Sequence, residues 1–228
     1  MIAWLNRNDP FPPLDTALNR PNGLLAVGAD LSVPRLVEAY RHGIFPWFNP
    51  GEPLMWWSPD PRMVLFPDEF KVSRSLKKRL QRADYELRVD TAFSRVMREC
   101  AVPRDGQGGT WISPAMIAAY TALHEEGYAH SYETWIGDEL AGGLYGVAIG
   151  RAFFGESMFA RQTDASKIAL AHLASDLAVR EFGFIDCQMS TSHLASLGAR
   201  LLTRVEFKAL LDRFSAPPAM PGKWGREA

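Results

Sequence analysis

Two polar side chains, Asp186 and Gln188, interrupt an apolar strand-like run over residues 184–189. Because the side chains of a strand alternate between its two faces, the carboxylate and the carboxamide are expected to project from the same face. Burying either group without a partner would cost roughly 1 to 3 kcal/mol, so each requires a hydrogen bond. Two interpretations remain open: the groups satisfy nearby backbone atoms, or they line a pocket and act on a substrate.

A second carboxylate, Glu156, interrupts the apolar run of residues 153–159 directly after a glycine. Gly155 has no Cβ atom, so a ligand or another chain segment can approach the backbone closely at this point. The alternative interpretation is a hairpin glutamate at a sheet edge, with Gly155 marking a β-bulge. The local pattern leaves both interpretations open.

A local excess of positive charge lies between residues 71 and 82, in a chain whose formal net charge is −1. This segment has no acidic residue and six cationic ones: Lys71, Arg74, Lys77, Lys78, Arg79 and Arg82. At helical spacing Arg74, Lys78 and Arg82 form one stripe, whose mutual repulsion requires a compensating partner. A solvated helix face is the simpler interpretation. The near-neutral remainder of the chain favours the alternative, a contact with a phosphate backbone.

The first part of the chain, to about residue 62, is rich in proline, tryptophan and phenylalanine. One helix is expected there, capped by Ser32, with Pro34 in its first turn and Gly43 at its end. The composition changes near residue 62. This change predicts a small N-terminal domain, 1–62, followed by a larger catalytic domain, 63–228.

Strand and helix patterns alternate in the larger part. Strands are expected at 63–66, 85–89, 132–136, 139–149, 152–159 and 184–189, and helices begin at Ser73, Thr91, Ser113, Asp164 and Thr203. Two-residue turns join the third, fourth and fifth of these strands into an antiparallel meander. The order predicts a mixed α/β sheet with helices on both faces.

Composition also bears on location and on metal binding. No segment is long and apolar enough to span a membrane and the start of the chain lacks the features of a signal peptide, so a cytoplasmic protein is expected. Neither the two cysteines nor the five histidines show the spacing of a metal site. His193, close after the Asp186 strand, is interpreted as structural. Nothing indicates an obligate interface, so a monomer is expected.

Six short motifs follow one another between about residues 10 and 215: Pro21-Asn-Gly-Leu-Leu-Ala, Gly43-Ile-Phe-Pro-Trp-Phe, Trp56-Trp-Ser-Pro-Asp-Pro-Arg62, Gly155-Glu-Ser-Met-Phe, Asp186-Cys-Gln188 and His193-Leu-Ala-Ser-Leu-Gly198. Together they resemble the leucyl/phenylalanyl-tRNA–protein transferases. The resemblance implies transfer of Leu, Phe and less readily Met from aminoacyl-tRNA to proteins whose N-terminus is Arg or Lys, which marks them for degradation. It also implies an N-acetyltransferase-like catalytic domain that needs no metal or coenzyme.

The resemblance also assigns roles to residues of this sequence. Asp186 and Gln188 correspond to the family's acid and amide pair and are the expected catalytic residues. The expected substrate-binding residues are Trp47, near the terminal adenosine, and Trp111, Tyr120, Leu144, Phe153, Glu156, Ser157, Leu170, Leu173 and Ile185. The expected tRNA-binding residues are Arg74, Lys77, Lys78, Arg79 and Arg82.

Three positions depart from the family's pattern. Met is expected more often at Leu144 and Asn at Thr191, and the family can carry Phe at Leu173. These departures leave the preference between Leu and Phe open, but not the reaction.

Two other functions remain compatible with the sequence. A coenzyme-A-dependent N-acetyltransferase is suggested by the fold pattern, but the relevant helix begins with Arg161-Gln-Thr-Asp-Ala-Ser, which lacks the glycines of a pyrophosphate loop. A non-catalytic RNA-binding module would use the basic stripe and the tryptophans, but it leaves the Asp186 and Gln188 pair unexplained.

Overall fold

Two sheets of unequal size organise the chain in the computed structural model, which describes residues 2–103, 110–216 and 221–225. The smaller sheet consists of β1 (Ala3–Leu5), β2 (Leu24–Gly28), β3 (Phe45–Pro46) and β4 (Met55–Trp57), in the spatial order β1-β2-β4-β3. β1 is parallel to β2, and the other two pairs are antiparallel. Only a helix was predicted from the sequence in this part, because strands of two to five residues are too short to show an alternating pattern.

The predicted N-terminal helix is α1 (Val33–Arg41), which lies between β2 and β3 in the chain. Pro34 lies in its first turn, and Gly43 adopts φ +73° just beyond its end, as predicted. Ser32 is the N-cap residue, but its side chain makes no capping hydrogen bond. The Ser32 N–H instead donates to Asp30 Oδ1 at 2.9 Å, so the capping role predicted for the Ser32 side chain is wrong.

The larger sheet has seven strands: β5 (Arg62–Leu65), β6 (Glu86–Val89), β7 (Ala129–Ile136), β8 (Glu139–Ile149), β9 (Ala152–Ala160), β10 (Phe184–Gln188) and β11 (Arg200–Leu202). Their spatial order is β11-β5-β10-β9-β8-β7-β6. Only β9 and β10 pair in parallel among the described strands of this sheet; β7, β8 and β9 form the predicted antiparallel meander. The sheet is therefore mixed, and the predicted α/β class is confirmed.

Six α-helices accompany this sheet in the described part of the chain: α2 (Arg74–Leu80), α3 (Phe93–Cys100), α4 (Pro114–Glu125), α5 (Ala165–Val179), α6 (Ser192–Ser196) and α7 (Arg204–Phe214). The hydroxyls of Ser73 and Ser113 cap α2 and α4, and Thr203 forms the predicted capping box at α7. Thr91 does not cap α3, because its hydroxyl donates to Glu133 instead. α6 has only five residues, too few for a helical period to appear in the sequence.

Buried side chains lie on both faces of the larger sheet. One cluster includes Phe93 of α3 and Tyr120 of α4 together with Tyr145 of β8. The second includes Leu144 of β8 and Leu170 of α5. Because neighbouring residues of β8 point to opposite faces, α3 and α4 cover one face and α5 covers the other, as predicted.

Trp57 ends the last strand of the smaller sheet, and Arg62 begins the first strand of the larger one. The division into domains 1–62 and 63–228 stays a prediction. No helix within the described ranges combines the length and the hydrophobicity that crossing a membrane requires.

Candidate active site

β10 changes its register against β5 at the place where Asp186 and Gln188 lie. These two residues face successive residues of β5, so Cys187 is the extra residue of a β-bulge. Gln188 has φ +59°, a left-handed conformation that costs a non-glycine residue of order 1 kcal/mol or more. Ile185 and Cys187 line a cavity that Asp186 and Gln188 do not line, in agreement with the predicted alternation.

The carboxylate of Asp186 is fully buried and forms a two-pronged ion pair with Arg62, which is 1% exposed. Arg62 Nε donates to Asp186 Oδ1 at 2.8 Å, and Arg62 Nη2 donates to Oδ2 at 2.7 Å. The backbone N–H of Gln188 also donates to Oδ1, at 2.9 Å. Both carboxylate oxygens are therefore engaged, and one of their partners is a backbone group, as the first interpretation of this residue predicted.

Arg62 has further partners that keep its side chain in place. Its guanidinium carbon lies 4.8 Å from the ring centre of Phe45 and 4.7 Å from that of Phe207. Such stacking suits arginine, whose charged group is planar and weakly hydrated. No role for Arg62 was predicted from the sequence, in which its only signal is its position at the end of the motif that begins at Trp56.

Glu156 is the extra residue of a bulge in β9 and accepts hydrogen bonds from three side chains. Gln188 Nε2 and Tyr40 Oη each donate to Oε1 at 2.7 Å, and Tyr120 Oη donates to Oε2 at 3.2 Å. The two tyrosine hydroxyls also contact each other. Burial raises the pKa of Glu156 to about 7, the hydrogen bonds oppose this rise, and the charge of Asp186 adds to it.

The raised pKa of Glu156 predicts that ionisation of this residue destabilises the fold. Since the ordinary pKa is near 4.5, the folded protein binds more protons than the unfolded protein between pH 4.5 and 7. The stabilisation is complete below this window and is lost as pH rises through it, at a cost of roughly 3 kcal/mol. Urea unfolding at pH 5 and pH 7.5 should therefore show a larger fall in stability for the unaltered protein than for Glu156→Gln. Glu139→Gln, at an exposed position, is the control and should retain the full fall; an equal fall in Glu156→Gln would contradict the prediction.

A cavity of about 330 Å³, called here the α5 cavity, lies on the face of the larger sheet that α5 covers. Seven of the ten residues expected to bind substrate line it: Leu144, Phe153, Glu156, Ser157, Leu170, Leu173 and Ile185. The rest of the wall consists of residues that were not predicted to bind substrate: Tyr145, Gly155, Met158, Cys187, Thr191, His193 and Leu194. The wall is thus mainly apolar, and Glu156 belongs both to this wall and to the hydrogen-bonded group that includes Gln188.

The other three expected substrate residues do not line the α5 cavity. Trp47 is 40% exposed, and its ring centre lies 5.5 Å from that of Trp57. Trp111 is half-buried against the cluster that contains α3 and α4. Tyr120 is fully buried and contacts two residues of the cavity wall: its hydroxyl donates to Glu156, and its ring centre lies 5.9 Å from that of Tyr145.

Tyr40 was not predicted to be a site residue. Its hydroxyl donates to Glu156 and so places α1 of the N-terminal part at the site. Burial and the nearby charge of Glu156 raise its pKa well above the ordinary range. In the part of the chain that the structure describes, no group of three or more His, Cys, Asp or Glu side chains could hold a metal ion.

The predicted basic stripe is only partly helical, because α2 ends at Leu80 and Arg82 lies beyond it. Lys78, Arg79 and Arg82 line an open cleft, called here the basic cleft, together with Arg161, which follows the end of β9. Asp84 and Asp164 line the same cleft, and Asp84, two residues after the basic segment, is paired with Arg79 and supplies a compensating negative charge. The two other expected tRNA contacts, Arg74 and Lys77, are exposed and do not line the basic cleft.

Two family models match the chain, one for the leucyl/phenylalanyl-tRNA protein transferase N-terminal domain at residues 29–60 and one for the leucyl/phenylalanyl-tRNA protein transferase at residues 64–212. The leucyl/phenylalanyl-tRNA–protein transferase of Nitrosomonas europaea is 64% identical over 224 residues, which cover 98% of this chain and 95% of that protein. The enzyme of the same name from Chromobacterium violaceum is 60% identical over 224 residues, which cover 98% and 96%. Among solved structures, a GCN5-related N-acetyltransferase from Kribbella flavida has a TM-score of 0.38 and 10% identity, over 72% of this chain and 58% of that one. The two model matches and an identity of 60% or more along nearly the whole chain lead to one conclusion: the chain belongs to the leucyl/phenylalanyl-tRNA–protein transferases, a family of aminoacyltransferases.

Proposed function

We propose that this protein transfers Leu or Phe, and less readily Met, from aminoacyl-tRNA to the N-terminal Arg or Lys of an acceptor protein. The product would be marked for degradation, and the reaction would take place in the cytoplasm on a monomeric enzyme. The observation that carries the proposal is the apolar α5 cavity, whose wall includes the same Glu156 that accepts a hydrogen bond from Gln188. Family membership supports aminoacyl transfer over the two alternative functions.

The α5 cavity would receive the transferred side chain. Its apolar wall favours Leu, Phe and Met and disfavours charged side chains, which would lose their hydration on entering. Exclusion of a β-branched side chain rests on shape alone, and an apolar pocket discriminates only weakly on one methyl group. The cavity therefore defines a class of side chains rather than one amino acid.

The chemistry required is attack of an α-amine on an ester. The α-amine has an ordinary pKa of about 7.7 to 8.0, so a minor fraction is already uncharged at neutral pH. The demand for a strong base is modest, and much of the acceleration would come from holding the amine against the ester carbonyl. The C–N bond forms as the ester C–O bond breaks, and the proton lost by the amine balances the one gained by the leaving ribose oxygen.

Contact with the reacting groups is assigned to Gln188, which does not itself line the α5 cavity but is hydrogen-bonded to Glu156 of its wall. Its amide nitrogen donates to Glu156, so the carbonyl oxygen at the other end of the amide would accept a hydrogen bond from the attacking amine. Asp186 would act as a positioning residue, because its carboxylate is buried and holds the backbone N–H of Gln188. Since Arg62 balances the charge of Asp186, Glu156 is the carboxylate that would attract the cationic end of the acceptor.

The proposed function is tested by transfer of labelled Leu or Phe from charged tRNA to a peptide that begins with Arg. Peptides that begin with Lys and with Ala are the positive and negative acceptor controls. Absence of transfer to the Arg and Lys peptides would overturn the proposal. Acetyl transfer from acetyl-coenzyme A would then support the first alternative, and tRNA binding without any transfer would support the RNA-binding module.

The basic cleft predicts a salt-dependent contribution to tRNA binding. Lys78→Ala combined with Arg82→Ala removes two cations of the cleft. The logarithm of the tRNA association constant falls with the logarithm of the salt concentration, and each lost phosphate contact makes this negative slope shallower by about 0.7 to 0.9. We therefore expect the slope to become shallower by about 1.5. Arg74→Ala combined with Lys77→Ala removes equal charge from α2 outside the cleft and should change the slope less. Binding titrations at several salt concentrations measure both slopes, and an unchanged slope in the first pair would make the cleft a solvated surface.

A further inference from the structure

The segment 221–225 packs against the end of β6 and the turn that precedes β7. The Gly222 N–H donates to the carbonyl of Gly127 at 3.2 Å, and the Trp224 N–H donates to Asp90 Oδ2 at 3.2 Å. A Cβ atom on Gly225 would lie 2.8 Å from the carbonyl oxygen of Val89, so this residue also packs closely against the chain. These contacts fix the backbone on both sides of Trp224.

The indole of Trp224 is held by two charged or polar neighbours. It stacks on the imidazole of His130, with ring centres 3.9 Å apart and an interplanar angle of 8°. His130 is buried, and its Nδ1 atom is paired with Asp90 Oδ2 at 2.8 Å, so the imidazole cannot turn freely. The guanidinium carbon of Arg180 lies 4.7 Å from the indole centre.

Trp224 also contacts a residue of the α5 cavity. Its ring centre lies 6.0 Å from that of Phe153, 5.6 Å from that of Phe182 and 6.4 Å from that of Tyr132. Phe153 is fully buried and lines the cavity. Phe153 therefore connects the wall of the α5 cavity to Trp224, which does not itself line the cavity.

We propose that Trp224 is a specificity-determining residue, which fixes the position of Phe153 and so limits the room for the transferred side chain. The inference rests on the proposed function of the α5 cavity. Without the indole, a gap remains behind Phe153, and the surrounding side chains relax into it only partly. Movement of the Phe153 ring into this gap enlarges the cavity and favours larger transferred side chains.

The test compares transfer from Phe-tRNA and Leu-tRNA by the unaltered protein and by Trp224→Ala. The ratio of kcat/KM for Phe to that for Leu should rise about tenfold, the discrimination that about one methylene group gives in an apolar pocket. Leu170→Ala enlarges the same cavity directly and is the positive control. Trp4→Ala removes an exposed indole from β1 and should leave the ratio unchanged.

A second readout separates this inference from the proposed function. Calorimetry measures binding of the methyl esters of phenylalanine and leucine to the same proteins, and Trp224→Ala should shift preference towards the phenylalanine ester. If the unaltered protein transfers neither amino acid but this preference shifts, the proposed function fails and the role of Trp224 stands. If Trp224→Ala behaves as Trp4→Ala in both measurements, the role of Trp224 is overturned. Should Trp224→Ala not fold, Trp224→Leu is used instead, because it keeps an apolar side chain on His130. This variant should shift the preference towards phenylalanine in the same direction but by a smaller factor.

Discussion

Arg62→Met is expected to lower the free energy of unfolding by about 3 to 5 kcal/mol, because it leaves the buried carboxylate of Asp186 without its counter-charge. Transfer activity should be lost as well, since Asp186 holds the backbone N–H of Gln188. Methionine keeps much of the length and apolar volume of the arginine stem, so the change removes mainly the charge and its hydrogen bonds. Denaturant unfolding measures the first effect, and the peptide transfer assay measures the second.

Two further variants separate the loss of stability from the loss of activity. Arg88→Met breaks the more exposed pair with Glu86 and should cost much less stability than Arg62→Met, because solvent screens that pair. Arg62→Met combined with Asp186→Leu replaces the buried pair by apolar side chains, which restores stability in many proteins. This double variant should recover stability but not transfer, since Gln188 remains without its anchor. A loss of stability in Arg62→Met no greater than that in Arg88→Met would contradict the importance of the ion pair.

The ion pair also determines how Asp186 itself can be tested. Asp186→Ala would leave the guanidinium of Arg62 buried without an anion, so a loss of transfer could come from unfolding. Asp186→Asn keeps the shape and one oxygen that can accept a hydrogen bond. The asparagine variant is therefore the better test of the positioning role, provided that its folding is measured in parallel.

The parts of the site that sequence analysis predicted are those with a local signal. The alternation around Asp186 and Gln188 depends on residues next to one another in the chain, and so do the caps at Ser73 and Thr203. The bulge at Glu156 was part of one of the two open interpretations, since Gly155 marked it, but the sheet edge in that interpretation is wrong, because β9 pairs with both β8 and β10. Local spacing was therefore sufficient to indicate where polar side chains enter an apolar strand.

The partners of these side chains could not be predicted from local spacing. Arg62 lies 124 residues before Asp186, and Tyr40 lies 116 residues before Glu156. No periodic pattern connects residues so far apart, and pairing depends on the order of strands in the sheet. The same reason explains why the contact between Trp224 and Phe153 was not anticipated.

Gln188→Met is expected to lower the rate of transfer by about 100-fold to 1000-fold, the loss that follows removal of one well-placed hydrogen-bonding group from an active site. Methionine keeps the approximate length of the side chain but has no amide, so Glu156 loses one donor and the attacking amine loses its acceptor. Affinity for tRNA should stay near that of the unaltered protein, because Gln188 does not line the basic cleft. Single-turnover transfer at saturating charged tRNA measures the rate. The same substitution at exposed Gln81 is the control; a rate within twofold of that control would leave Gln188 with a structural role only.

Gln188→Glu distinguishes the donor role of the amide towards Glu156 from its role towards the amine. This variant keeps the size of the side chain but places two carboxyl groups at hydrogen-bond distance, where one of them takes up a proton more readily than Glu156 does alone. At low pH the pair shares a proton and can re-form the hydrogen bond, whereas at high pH the two carboxylates repel. The transfer rate of Gln188→Glu relative to the unaltered protein should therefore rise as pH falls from 8 to 6, while the relative rate of Gln188→Met should not change. A constant ratio for both variants would mean that the contact between Gln188 and Glu156 does not contribute to the reaction.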